Sequence, residues 1–458
     1  MKMTRLLCLA LAGLLLFSAA APALALSVAE EERLGRKFMA VMRHQLDFIQ
    51  DPVLKAYLER IGRSLAVQYE SLAYRPTFHL LNDTQLNAFA APGGVVVISK
   101  GLVEKMDSVD QLAGVLAHEL AHVSRRHLAD RMERASKLSW AAMAGMVAAV
   151  LVGMATGDSD VSYGAAVGAM AATQSAALAY SREQETDADR LGIKKMVRAD
   201  YDPQGALEAL MIIKRANDIS HLAAPAYLST HPNLLGRISF LSVIKARRPE
   251  GTTSPGAEDW PWFKARLAAK YGQEKWFKGR PQALVDYGQG LMAIEAGRTE
   301  EALLHLAKVY RAAPERLGVA VSYAEALRRA ERLEEAAGLL RGTLPRRPND
   351  PAVLFLLGQI HLQLGRNEKA LTTFKELVEL WPEEPLVMHY LSLAYGRLGR
   401  LARAHQHLAL SYALKGQWGK SMANFELAMK HARTAKDRED IEASRKEVME
   451  YLPPPTQP

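Results

Sequence analysis

The sequence predicts a mainly α chain in two parts, an α+β domain with a small β-sheet followed by an all-α solenoid. Three observations carry this. A pattern of Gly or Glu, Arg and Ala recurs every 34 residues across 297–404, the span of two helices and their turns. Short strand-like segments are confined to residues 75–98, with helical periodicity on both sides. Between the two parts, residues 247–256 are dense in Pro, Gly and polar side chains, as a domain boundary would be. At 458 residues, 49% hydrophobic and 24% charged, the chain has material for two or three domains with ordinary globular cores.

The first 25 residues read as a secretory leader. Lys2 and Arg5 give a basic start, residues 6–17 are apolar, and Ala23-Leu24-Ala25 fits the small-x-small cleavage rule. An uncleaved anchor would need a longer apolar run. The single cysteine, Cys8, falls inside the leader. The mature chain then forms no disulfide, which suits an oxidising compartment without requiring one. The net charge of +8 is spread as Arg and Lys interleaved with Glu. No recognition or stacking motif accompanies it, so no nucleic-acid partner is expected.

Residues 26–246 form the first domain. A helix is expected from Ser27 to about Tyr69, where Leu34, Phe38, Val41 and Met42 repeat at helical spacing. Residues 75–81 read as a strand. Pro92-Gly93-Gly94 marks a turn, and Val95-Val96-Val97-Ile98 a second strand, so a hairpin leads into the next helix. The strand at 95–99 either lends its edge to an extended peptide or is purely structural.

That next helix holds His118-Glu119-Leu120-Ala121-His122. Residues four apart share a helix face, so both imidazoles can close on one ion. Glu119 lies beside them, where a carboxylate can deprotonate a metal-bound water. This is the zinc metallopeptidase pattern. Leu112, Val115, Leu116 and Val123 make the surrounding face apolar, and buried histidines and carboxylates are costly unless paired or ligated.

A catalytic zinc needs a third protein ligand. His127 points off the shared face and is discounted, because Arg125 stands where a Gly would let a third His reach back. Glu185 and Asp189, four apart, could supply one ligand and one acceptor for the second ring N–H of a ligand histidine; an exposed acidic helix start fits the spacing equally well. Before them, residues 140–157 and 163–178 are small and apolar. They read as a helical hairpin packed on the domain or over its cleft rather than a membrane span, with peripheral membrane contact through 140–178 left open. Residues 181–190 open a helix, a further helix runs from 201 to 213, residues 229–233 are loop-like, and Arg237-Ile238 begins another helix.

Beyond the boundary, assigned as a linker at 247–280, residues 281–450 form the array. Its units start at Gly297, Glu331, Gly365 and Gly399, the tetratricopeptide period. Gly290, Ala324, Gly358 and Ser392 recur at the same interval where paired helices must press together, and Pro314, Pro348 and Pro382 recur at unit ends. A last helix pair with Trp418 and Phe425 extends the array, and the tail 451–458 reads as disordered.

The motif at 118–122 with Glu185-Thr186-Asp187-Ala188-Asp189-Arg190, Leu86-Asn87-Ala88-Phe89-Ala90, His231-Pro232 and Arg237-Ile238 resembles the gluzincin family that includes the CAAX prenyl proteases and the heat-shock membrane protease. The resemblance covers residues 29–246. It implies a zincin-like metalloprotease domain and one zinc ion per chain, with Glu185 as third ligand and Asp189 behind a ligand histidine. It also implies that His231 occupies the fourth zinc position and holds the enzyme latent; a plain loop histidine or a substrate-polarising donor remains the alternative. Arg237 either stabilises charge near the cleft or pairs with a carboxylate. Joined to a leader and repeats, the domain resembles periplasmic proteases that attend outer-membrane protein assembly. That implies misfolded or misassembled protein substrates, and outer-membrane assembly machinery as a partner of the repeats. The alternative is a chaperone or adaptor scaffold with proteolysis secondary or silent.

Overall fold

The computed structural model describes residues 27–70, 72–134, 180–219, 226–244 and 252–450. The leader, the apolar stretch at 140–178 and the tail at 451–458 lie outside the described residues.

The first expected helix is two helices. In α1 (Val28–Gln45), Ser27 and Glu30 form a capping box. In α2 (Pro52–Ala66), the Asp51 carboxylate accepts from the N–H groups of Val53 and Leu54. The chain leaves the helix at Leu46, which is extended, and Pro52 sets the restart, since its fixed φ and missing N–H suit the first turn of a new helix.

Three strands follow, β1 (Thr77–Leu81), β2 (Ala88–Ala91) and β3 (Val95–Ser99), in the order β1-β3-β2. β2 and β3 are the antiparallel hairpin, turning through Gly93 and Gly94 at φ 72° and 78°, a region open to glycine at no steric cost. β1 pairs parallel to β3. β3 is therefore central and is buried at every residue. Of the two readings of Val95–Ser99, the structural one holds and the peptide-binding edge does not: both its edges are taken, and the outer strand of the hairpin is β2. The unbroken apolar run Val95-Val96-Val97-Ile98 fits a strand covered on both faces.

The short α3 (Lys100–Lys105) leads into α4 (Val109–Ser124), which Ser108 caps and which is buried at every residue from Gln111 to Val123. α5 (His127–Arg134) follows. α6 (Arg182–Arg198), started by a Ser181–Gln184 capping box, and α7 (Gln204–Ile219) pack against α4. At Gly114 a β-carbon would stand 2.6 Å from Ala206 Cα, so α4 and α7 meet backbone to backbone. α8 (Ala226–Thr230) and α9 (Leu234–Ser242) complete the domain.

The segment read as a linker contains α10 (Trp260–Lys270). Trp260, Phe263 and Leu267 sit in the core of the first domain, while Ala265, Ala268 and Ala269 sit in the core of the solenoid. One helix thus has a face in each. At this joint the Asp51 carboxylate accepts from Arg266 (2.8 Å) and Lys270 (2.9 Å), and Arg266 also donates to Ser322 (2.8 Å).

The solenoid comprises α11 (Gln282–Glu295), α12 (Thr299–Ala312), α13 (Leu317–Arg329), α14 (Leu333–Thr343), α15 (Pro351–Gln363), α16 (Asn367–Leu380), α17 (Pro385–Arg397), α18 (Leu401–Leu414), α19 (Trp418–His431) and α20 (Ala435–Met449). A β-carbon at Gly290 would stand 2.6 Å from Leu306, and one at Gly358 2.6 Å from Phe374, which is why the small residues recur. Val53 and Ala56 of α2 pack on the solenoid core, Lys55 pairs with Glu384 at 3.2 Å, and Arg63 donates to the Leu380 carbonyl at 3.0 Å. Among the described residues no helix is long and apolar enough to cross a membrane.

Candidate metal centre

α4 presents His118 and His122 on one face, their Nε2 atoms 3.0 Å apart. α6 brings Glu185 in its first turn, and the residue after α8 brings His231. His231 Nδ1 lies 3.3 Å from His118 Nε2 and 3.0 Å from Glu185 Oε1. Glu185 Oε1 lies 3.4 Å from His122 Nε2, and Oε2 3.6 Å from His118 Nε2. All four ligand atoms fall within 4.8 Å of one another, and all four residues are buried.

These residues fit a metal ion. Nitrogen and oxygen ligands at about 2.0–2.1 Å from a tetrahedral zinc stand about 3.3 Å from each other, and the five separations above run from 3.0 to 3.6 Å. Further, both oxygens of Glu119 and the Nε2 of His231 are buried with no hydrogen-bond partner among the described residues. Buried polar atoms rarely stay so unless an ion or ligand water completes them.

Glu119 is fully buried beside the cluster, and His231 Nε2 stands 3.5 Å from its Oε1. One layer out, His118 Nδ1 meets Asp189 Oδ1 at 2.9 Å. Arg237 pairs with carboxylates. Its guanidinium donates twice to Asp189 (2.7 and 2.8 Å) and stands 2.7 Å from Glu185 Oε2. The Tyr227 ring stacks on His231 at 4.2 Å and its hydroxyl accepts from Arg237.

The electrostatics suit a cation. Burial would push the Glu185 carboxyl up, but the His231 and Arg237 charges outweigh it and hold it well below the usual carboxylate range. Burial likewise opposes ionisation of Asp189, yet Arg237 and His118 bring it down to about 2. Burial pushes the His122 imidazole well below its ordinary value, leaving it in the neutral form a ligand needs.

His127 stands outside the converging four, but sequence reasoning missed its contact with them: its Nδ1 lies 2.9 Å from His122 Nδ1. Arg126 makes that possible by adopting φ 51°, and no local signal announces a left-handed arginine. The stacking of Tyr180 on His122, with ring centroids 3.8 Å apart, was equally silent.

Residues 52–245 match the profile of peptidase family M48, and residues 287–351, 323–385 and 355–417 match a tetratricopeptide repeat profile. The chain thus carries a peptidase family M48 domain followed by tetratricopeptide repeats. Among curated relatives, the beta-barrel assembly-enhancing protease of Escherichia coli K12 is 31% identical over 307 residues, covering 63% of this chain and 61% of that protein. The Yersinia pestis protein of the same name is 28% identical over 372 residues, covering 81% and 71%. The mitochondrial metalloendopeptidase OMA1 of Schizosaccharomyces pombe is 30% identical over 189 residues, covering 41% and 52%. The chain therefore spans about three fifths of the length of the Escherichia coli relative.

Proposed function

We propose that the chain is a zinc-dependent endopeptidase of the periplasm. In this reading it cleaves misfolded or stalled envelope proteins and, through its repeats, assists outer-membrane protein assembly. One observation carries the reading: a buried set of three imidazoles and a carboxylate at tetrahedral spacing, with the unpartnered carboxylate of Glu119 beside it. The name of the relatives, beta-barrel assembly-enhancing protease, supports proteolysis and a link to β-barrel assembly, and the leader-like residues 1–25 agree with export.

His118, His122 and Glu185 hold the ion. A zinc ion there supplies Lewis acidity and lowers the pKa of a water bound to it. Glu119, with both oxygens free of hydrogen bonds among the described residues, is placed to act as general base, accepting a proton from the attacking water and returning it to the leaving amine. Asp189 fixes the His118 ring through Nδ1. Arg237 holds Asp189 and Glu185 in register and balances their charge. The β2 edge, outermost in the sheet, offers backbone groups to an extended substrate.

His231 gives the site its resting state. A zinc with four protein ligands is closed, whereas catalysis needs one open position. With His231 Nδ1 among the four, a zinc ion held there would be closed and the enzyme latent until α8 and its following loop withdrew. The same closed set gives physical form to the second reading, a scaffold whose proteolysis is silent.

Glu119→Gln separates the two. Zinc content and fold should stay as in the parent chain, while cleavage of an unfolded protein falls by roughly 10²–10⁴-fold. Undiminished cleavage by pure E119Q would reject the role of Glu119. Full complementation of a deletion strain by E119Q would favour the scaffold.

A further inference from the structure

We propose that His127 is the positioning partner of His122, set in place by a Glu31–Arg126 clamp from α1; this rests on the metal reading above. A histidine that ligates through Nε2 carries its proton on Nδ1, and that N–H needs an acceptor to fix the ring. His118 has Asp189 for this purpose. His122, whose Nε2 also faces the cluster, has no carboxylate at Nδ1. Among the described residues its partner there is His127 Nδ1, at 2.9 Å. Two ring nitrogens at that distance share one proton, so His122 donates, His127 accepts, and the proton of His127 sits on its own Nε2. The Tyr180 ring lies against the face of His122 with centroids 3.8 Å apart and planes 21° from parallel. The ring is thus fixed at its edge by His127 and on its face by Tyr180.

On a continuous helix, His127 would sit about 140° around the axis from His122 and out of reach. The chain solves this by ending α4 at Ser124 and turning through Arg126 at φ 51°. A left-handed backbone is disfavoured for a residue with a β-carbon, so it must be held. Arg126 Nε donates to Glu31 Oε1 at 2.7 Å, and Glu31, 4% exposed, also accepts from the Tyr74 hydroxyl. The buried carboxylate of α1 therefore anchors the residue whose backbone swings His127 onto His122.

The two ligand histidines thus have unlike partners, one anionic and one neutral. There is a reason for the second. Glu119, Glu185 and Asp189 already place three carboxyl groups in this buried volume, and another anion would carry a further desolvation cost. A neutral imidazole orients His122 without adding charge.

The test is zinc affinity of the full chain by competition with a chelator, for the parent, H127L and H127N. Asn keeps an acceptor at the δ position; Leu does not. Loss of such a partner costs roughly 10–100-fold in metal affinity, so H127L should weaken zinc by that factor and H127N by no more than about threefold. Zinc-free H127L should keep the parent unfolding midpoint, which a merely structural role would lower. Equal affinity in all three, equal loss in both variants, or a lowered midpoint in zinc-free H127L overturns the assignment. A parent chain that takes up no zinc instead overturns the metal reading itself.

Discussion

In the solenoid each helix finds its neighbour next in sequence, and a small residue recurs at the same step, at Gly290, Ala324, Gly358 and Ser392, to let the pair close. At the metal centre four side chains converge from three separate stretches of chain, at 118–122, 185 and 231, and none of their contacts is repeated elsewhere. The solenoid spreads its stability over many similar apolar contacts, so one poor unit is tolerated. The centre concentrates buried charge that only mutual pairing makes affordable. Robustness and reactivity are thus kept in different parts of one chain, with α10 and Asp51 between them.

The joint gives the largest expected effect. Asp51→Asn keeps the helix cap, since Asn caps as well as Asp, but leaves Arg266 buried without its anion. Breaking a buried pair costs roughly 3–5 kcal/mol, to be read as a lowered denaturation midpoint of the whole chain. If only the solenoid transition moves, the two parts are less coupled than α10 suggests. The same pair sets a pH dependence. Burial opposes ionisation of Asp51, but Arg266 and Lys270 outweigh it and hold its carboxyl below the ordinary range. A depressed folded-state pKa stabilises above the unfolded value of about 3.9 and is lost as pH falls toward the folded value. Acid unfolding of D51N should therefore be less steep below about pH 4 than that of the parent.

At the centre, His231→Ala opens the fourth position. Cleavage of an unfolded substrate should rise about tenfold, equivalent to about 1.4 kcal/mol of lifted latency. Lower activity in a zinc-loaded H231A would assign His231 to catalysis rather than to closure, and unchanged activity would exclude both roles.

The smallest effect belongs to the solenoid and runs the other way. Its inter-helix turns adopt φ 71°, 69° and 70° at Gly297, Gly365 and Gly399, but the second unit has Glu331 at φ 59°. Glu331→Gly should stabilise by about 1 kcal/mol, the lower end of the penalty for a left-handed residue with a β-carbon, visible as a raised unfolding midpoint. No gain would mean that the turn is held by more than its own backbone.

The contrast also explains what the sequence made legible. The solenoid could be read because its signals repeat: a 34-residue step is visible without knowing any contact. His118, Glu119 and His122 could be read because one helical turn fixes their geometry. Glu185 and Asp189 carried a spacing but no partner, and only the fold brings Asp189 to His118. His127 was legible as a histidine off the helix face and illegible as a partner, because the turn at Arg126 depends on Glu31, ninety-five residues upstream. Three segments carried signals that the sequence reading passed over. The unalternating run at Val95–Ser99 marks a central strand, and Asp51-Pro52 marks a helix start. The apolar Trp260-Pro261-Trp262-Phe263 likewise marks a packed helix inside the stretch assigned as linker.

The most direct test is the zinc content of the full purified chain beside His118→Ala and Glu185→Ala. One ion per parent chain, with loss from both variants, is the predicted result. A parent chain without bound zinc, or variants that retain it in full, would contradict the claim that these side chains form a single metal centre.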